Sequence, residues 1–168
     1  MVWFVITVFA LAGMIKGTIG LGLPAVSMGL LTMVISPFQA ATLLIIPSMV
    51  TNFWQLFAEG RVLQLIRRFW LLLIGIIVGS IWSVFPTLGH SDFNSEALLG
   101  GMLALYGVYG LFAKSMPNLS KYENWLSPIM GYLGGALTVA TGVVVIPVVP
   151  YLQTLNLQRD DLVQSLGL

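Results

Sequence analysis

The first candidate for a ligand-binding residue in this sequence is Lys16, which lies inside a long apolar stretch near the N-terminus. Burying an ammonium group at that depth in a membrane costs several kcal/mol unless the group is paired or hydrated. Lys16 adjoins the small-residue run from Gly17 to Pro24. A helix that broke and restarted there would turn free N–H groups and its positive dipole end toward a cavity. This combination predicts a site for a small anion, with Lys16 as the fixed positive charge.

Other interpretations of these residues stay open on the sequence alone. The ammonium of Lys16 could snorkel to a nearby membrane interface, or the residue could lie in a short cytoplasmic turn if the first stretch crosses twice. Glycines four residues apart also let helices approach closely. Packing is therefore the favoured interpretation for Gly75 and Gly79, whereas a helix break is favoured for the run from Gly17 to Pro24.

The other candidates for the anion site are polar or small residues near predicted breaks. The hydroxyls of Thr138 and Thr141 could coordinate an oxyanion, or each could bond the carbonyl one turn back. Asn52 and Gln55 lie one helical turn apart after Pro47, where they could face the same cavity or bond between helices. The predicted substrate-binding residues are Lys16, Thr18, Gly20, Gly22, Asn52, Thr138 and Thr141.

Catalytic and metal-binding chemistry finds little support in the sequence. The chain has no cysteine, and its single histidine, His90, lacks the cluster of ligands that a metal site needs. No serine lies in a G-x-S-x-G elbow. We therefore predict neither an enzyme nor a cofactor. The carboxylates, which fall in predicted loops or at segment ends, are Glu59, Asp92, Glu96, Glu123, Asp160 and Asp161.

The composition is that of an integral membrane protein. Hydrophobic residues make up 58% of the 168-residue chain and charged residues only 8%, against about 25% charged in soluble domains. The net charge of +1 comes from scattered basic residues, so no nucleic-acid partner is predicted. Spans of about 20 residues match the hydrocarbon core. The expected fold is an all-α, polytopic helical bundle with five or six spans and lipid around it.

The apolar segments divide the chain and give it an orientation. Arg61, Arg67 and Arg68 follow the second segment, and Lys114 and Lys121 follow the fourth, so the positive-inside rule makes these loops cytoplasmic. Pro47 predicts a kink. The first segment continues past any cleavage site and is predicted to be retained. The segments span residues 2–35, 38–57, 69–85, 97–113 and 126–155; the first is broken, and the fifth is interrupted by Gly131, Gly134, Gly135, Gly142, Pro147 and Pro150.

An internal repeat relates the two broken segments. The spacing of Gly13 and Gly17 recurs in Gly131 and Gly135, at an offset of about 118 residues, and both runs continue through small residues to proline. Glycine-interrupted segments in corresponding positions of two halves indicate a transporter's central site. We expect a first repeat over residues 1–118 and an incomplete second repeat over residues 119–168.

These motifs, taken in order, resemble the sulfite exporter TauE/SafE family, also called the toluenesulfonate uptake permease family. The resemblance is carried by GMIKGTIGLGLP from Gly13, SPFQA from Ser36, PSMVTNFWQ from Pro47 and GALTVATGVVVIPVVPYLQ from Gly135. It implies a permease of the cytoplasmic (inner) membrane that moves sulfite, sulfonates or other small organic anions. Family members carry more hydrophobic segments than this chain supplies, so the pathway would need further helices, another subunit or a homo-oligomer. The alternative is a non-transporting permease fragment or an accessory membrane subunit.

Overall fold

The computed structural model describes residues 2–20, 22–58, 60–88, 94–112, 117–143 and 145–168, and all regular structure in these ranges is helical. The predictions for Glu59, His90, Asp92 and Lys114 lie outside them. The helices are α1 (Val2–Ile19), α2 (Leu23–Leu31), α3 (Pro37–Phe57), α4 (Val62–Ile81), α5 (Ser95–Phe112), α6 (Glu123–Thr141), α7 (Val145–Gln153) and α8 (Arg159–Ser165), with a 3-10 turn over Ser120–Tyr122.

The all-helical membrane fold is confirmed. Within the described residues, α1, α3 and α4 are long and apolar enough to cross a bilayer, with mean hydropathies of 1.9, 1.3 and 1.9. The helices α2 and α7 have nine residues each, so they are about 14 Å long and cannot cross a hydrocarbon core of about 30 Å. Each broken stretch therefore consists of one long helix and one short one.

The first break lies where the glycine run predicts it, but it is shorter than the run. Gly17 still belongs to α1, whereas Gly20 and Gly22 have φ angles of 82° and 104°, which favour glycine. Pro24 lies in the first turn of α2, where its missing N–H costs no helical hydrogen bond. The short helix α2 packs against α1, because Leu23 and Met28 share a buried cluster with Val8 of α1.

The second break is narrower than predicted and involves fewer residues. The helix α6 runs without interruption through Gly131, Gly134 and Gly135, and it ends at Gly142, whose φ is 74°. The three earlier glycines were therefore wrongly assigned to the interruption. Gly131 and Gly135 face α4, where the absence of a side chain serves close packing.

The helices α4 and α6 approach each other through two pairs of glycines. A Cβ added at Gly75 would lie 2.5 Å from the carbonyl oxygen of Pro128, and one added at Gly135 would lie 2.1 Å from that of Ile76. Such contacts leave no room for any side chain. The prediction that Gly75 and Gly79 serve packing is confirmed: Gly75 lies against Gly131, and Gly79 lies against the backbone of Tyr132.

The start of the third segment was also predicted wrongly. The helix α4 begins at Val62, so Arg67 and Arg68 lie on a helix and not in a loop. The predicted start, Phe69, is a kink with φ −98° and ψ 16°. Arg68 pairs through two nitrogens with the Glu123 carboxylate, each at 2.9 Å, so this guanidinium is neutralised by the first residue of α6. By contrast, α3 agrees with the predicted segment to within one residue and continues as a helix through Pro47.

The helix bounds repeat along the chain. The end of α1, the whole of α2 and the start of α3 recur 122 residues later as the end of α6, the whole of α7 and the start of α8. The residues before α3 and α8, Ser36 and Gln158, have nearly the same backbone angles, with ψ of 151° in both. The offset exceeds the one taken from the glycine spacing by one helical turn. In the corrected register, Thr138 corresponds to Lys16 and Gly142 to Gly20.

We expect Gly79→Ala to destabilise the protein by about 1–3 kcal/mol, because the new Cβ would lie 2.1 Å from the Tyr132 carbonyl oxygen. Gly107→Ala in α5 is the control, since nothing lies within 4 Å of a Cβ there. Thermal unfolding of both variants in detergent measures the difference. Equal melting temperatures would contradict the close approach of α4 and α6.

Candidate anion site

Lys16 lies in the last turn of α1 and points its side chain at α3. The residue is only 8% exposed. Its Nζ donates hydrogen bonds to Thr51 Oγ1 at 3.1 Å and to Asn52 Oδ1. Lys16 is therefore buried between two helices, and neither the interfacial turn nor the snorkelling interpretation describes it.

The position of the two acceptors follows from the local structure of α3. The hydroxyl of Thr51 can donate to the Pro47 carbonyl, one turn back at 2.9 Å, which leaves its oxygen lone pairs for Lys16. Asn52 is the next residue and presents its amide oxygen to the same ammonium. Sequence reasoning included Asn52 in the site but missed Thr51, although both belong to the run that carries the family resemblance.

The charge of Lys16 has no acidic partner among the described residues. The two ion pairs found there join Arg61 to Asp161 and Arg68 to Glu123, at 2.9 Å each. Lys16 is held by neutral oxygen atoms instead. An ammonium has three N–H donors, and Thr51 and Asn52 account for two of them. The third N–H of this ammonium has no acceptor among the described residues.

A cleft of about 810 Å³ lies beside the ammonium. This volume is within the range of small-molecule sites. One face of α1 forms a wall of the cleft, with Gly13, Lys16, Gly17 and Gly20 at helical spacing. Nothing lies within 4 Å of a Cβ built at Gly13 or Gly17, so these two glycines leave space in front of the lysine. The rest of the lining comes from α3 and the residue after it, Ala58, and from Val163 of α8.

The remaining predicted residues lie apart from this cleft. Thr18 is exposed, and its hydroxyl donates to the Ile15 carbonyl at 3.0 Å. Gly22 precedes α2 and does not line the cleft. Thr138 and Thr141 donate to carbonyls one turn back, each at 2.7 Å. These bonds match the backbone-bonding interpretation that the sequence left open.

The second break also faces a different part of α3. A Cβ at Gly142 would lie 3.2 Å from the Cβ of Ala41. Ala41 precedes Asn52 by eleven residues, or about 16 Å along the helix. The structure thus brings Lys16, Gly20 and Asn52 together and leaves Thr138 and Thr141 elsewhere. Within the described residues, no cluster of histidine and carboxylate side chains could hold a metal ion.

The fold and the cleft define a class of protein: a multi-pass helical membrane protein with paired broken helices, which is the construction of a transporter. The comparison with protein families identifies the family to which this membrane protein belongs. The family model described as Sulfite exporter TauE/SafE matches residues 5–166, so the chain belongs to this family of membrane transporters. No curated protein and no solved structure matched the chain.

We expect Asn52→Leu to destabilise the protein by about 1–3 kcal/mol, because the buried ammonium of Lys16 loses one of its two acceptors. Asn124→Leu, at an exposed site near the start of α6, is the control. Thermal unfolding in detergent measures both. The double variant Lys16→Met/Asn52→Leu should recover most of the loss, since it removes the unpaired donor as well. Additive losses would contradict the contact.

Proposed function

We propose that this protein is a permease that moves small organic or sulfur-containing anions, such as sulfite or sulfonates, across the cytoplasmic (inner) membrane. The observation that carries this proposal is the charge of Lys16, buried beside a cleft and held by neutral oxygens without a carboxylate partner among the described residues. Family membership supports the same class of substrate.

The roles of the contacting residues follow from the geometry. Thr51 and Asn52 fix the ammonium at the cleft wall, and the third N–H of Lys16 bonds one oxygen of the anion. Burial of the charge is costly while the cleft is empty, and an anion relieves that cost. The open faces of Gly13 and Gly17 admit the ligand close to the α1 backbone. Inclusion of Thr18, Gly22, Thr138 and Thr141 in the substrate site rests on the sequence pattern and on the repeat alone.

The division of the chain into two repeats, residues 1–118 and 119–168, is part of this proposal. The constant offset of 122 residues between the two sets of helix bounds supports two repeats, and it moves the boundary between them about one helical turn later, to the start of α6. Transporters built from such repeats bind substrate between them and expose it alternately to the two sides. In this chain α8 of the second set already forms one wall of the cleft, through Val163.

A second candidate function is that of an accessory subunit that packs against other helices and transports nothing. The apolar lining of the cleft favours it, because Phe53 and Trp54 are 67% and 80% exposed. These side chains would suit a protein neighbour as well as lipid. Binding measurements on the purified chain distinguish the two functions, since an accessory subunit needs no anion site at Lys16.

Lys16→Met should weaken anion binding about 10- to 100-fold, because it removes a charge-assisted hydrogen bond. Lys16→Arg should retain most of the affinity. Lys121→Met, at an exposed site, is the matched control. Binding of radiolabelled sulfite and methanesulfonate to the chain in nanodiscs, and their uptake into proteoliposomes, measure the effect. Unchanged binding by Lys16→Met would refute the anion site, and binding without uptake would favour the accessory subunit.

Asn52→Asp should also abolish anion binding, for a different reason. The new carboxylate would lie where Asn52 Oδ1 now accepts from Lys16, and it would neutralise the ammonium in place of the ligand. Because the contact itself is kept, the melting temperature should not fall, unlike that of Asn52→Leu. Retained sulfite binding by Asn52→Asp would show that the charge of Lys16 is not what holds the anion.

A further inference from the structure

Gln55 lies one turn beyond Thr51 and Asn52 on α3 and also lines the cleft. It is 8% exposed. Its side-chain nitrogen donates to two backbone carbonyls: that of Gly20 at 2.8 Å, where α1 ends, and that of Val163 in α8. The side chain therefore connects the first break to α8, which contributes Val163 to the lining of the cleft.

The Gly20 carbonyl is an unfavourable neighbour for an anion. It lies just after the C-terminus of α1, where helix carbonyls have no helical partner and the helix dipole is negative. Gly20 and Val163 both line the cleft that contains the Lys16 ammonium. Two free carbonyl oxygens there would attract cations and repel anions. The two N–H groups of the Gln55 amide cover both oxygens.

The same helix, α8, is held to α3 by further contacts around Gln55. Gln164 donates to the Leu56 carbonyl at 2.6 Å, in the opposite direction to the bond from Gln55 to Val163. Arg61 pairs with Asp161 at 2.9 Å. The side chain of Val163 comes within 2.8 Å of a Cβ built at Gly20, so α8 fits directly over the break. Among these residues, Gln55 of α3 is the one whose side chain bonds both to Gly20, which follows α1, and to Val163 of α8.

We propose that Gln55 is a positioning residue of the anion site, which makes the cleft selective for anions by covering the Gly20 and Val163 carbonyls and holding α8 against the first break. This inference rests on the proposed function. Lys16 cannot take this role in place of Gln55, because its ammonium bonds Thr51 and Asn52 and does not reach the two carbonyls that Gln55 bonds.

The test uses two substitutions and one control. Gln55→Glu keeps the size of the side chain but replaces both donors with acceptors, and Gln55→Met removes all hydrogen bonding. Gln39→Met changes an exposed glutamine near the start of the same helix. We expect the dissociation constant for sulfite to rise about tenfold in Gln55→Met and further in Gln55→Glu. Gln39→Met should bind as the unchanged chain does.

A second measurement reports on α8 without using an anion. The chain has no cysteine, so Val163→Cys provides a single thiol in the cleft wall. In the Gln55→Met background, the rate at which a water-soluble thiol reagent labels this cysteine should rise at least about fivefold, because α8 opens locally more often. Both measurements are made on the monodisperse fraction, so that unfolded protein does not contribute.

The outcomes separate this inference from the proposed function. Weaker sulfite binding together with faster labelling supports it. Unchanged labelling overturns it, as does unchanged sulfite affinity in Gln55→Met when Lys16→Met has lost binding; both results leave the proposed function standing. If the unchanged chain binds no anion, the proposed function and the role of Gln55 both fall.

Discussion

A backbone carbonyl released by a helix break has no water to bond inside a membrane, so each such group needs a partner in the protein. Gly20 presents this requirement most clearly, because it directly follows α1, one turn beyond the buried Lys16. The amide of Gln55 supplies the partner, and the same side chain reaches α8. One backbone group therefore brings three helices together, and their meeting creates the cleft.

The second set of helices is held against the rest by a different interaction. Four glycines let α4 and α6 approach until backbone meets backbone, and Arg68 pairs with Glu123 at the start of α6. Packing of this kind does not rely on the hydrophobic effect, which is absent between apolar helices in lipid. The close packing of α4 against α6 and the polar junction at Gln55 are thus two separate connections between helices of the two sets, one made by shape and the other by hydrogen bonds.

How far the sequence predicts this structure depends on the range of the interaction. The first break and α3 follow from local chemistry, since glycine and proline act on their own turn. Gly131 and Gly135 were misread because a glycine pattern does not say whether the missing side chain permits a bend or a neighbour. Thr51 was missed, and Gln55 was considered for the cavity but left out of the site, because the sequence does not say which polar side chains of α3 contact α1. The start of α4 was missed because its charged first turns break the apolar pattern.

The corrected repeat register carries a consequence for how an anion would leave. Thr138 stands where Lys16 stands in the first set, so the two breaks share a backbone design but differ in charge. In pores with several adjacent sites, one ion expels another by mutual repulsion. Thr138 carries no charge, so a site at the second break would have to bind an anion through hydrogen bonds alone. In the site proposed at Lys16, release of the anion would then depend on a change in the protein around Lys16 and not on repulsion from a second charged site.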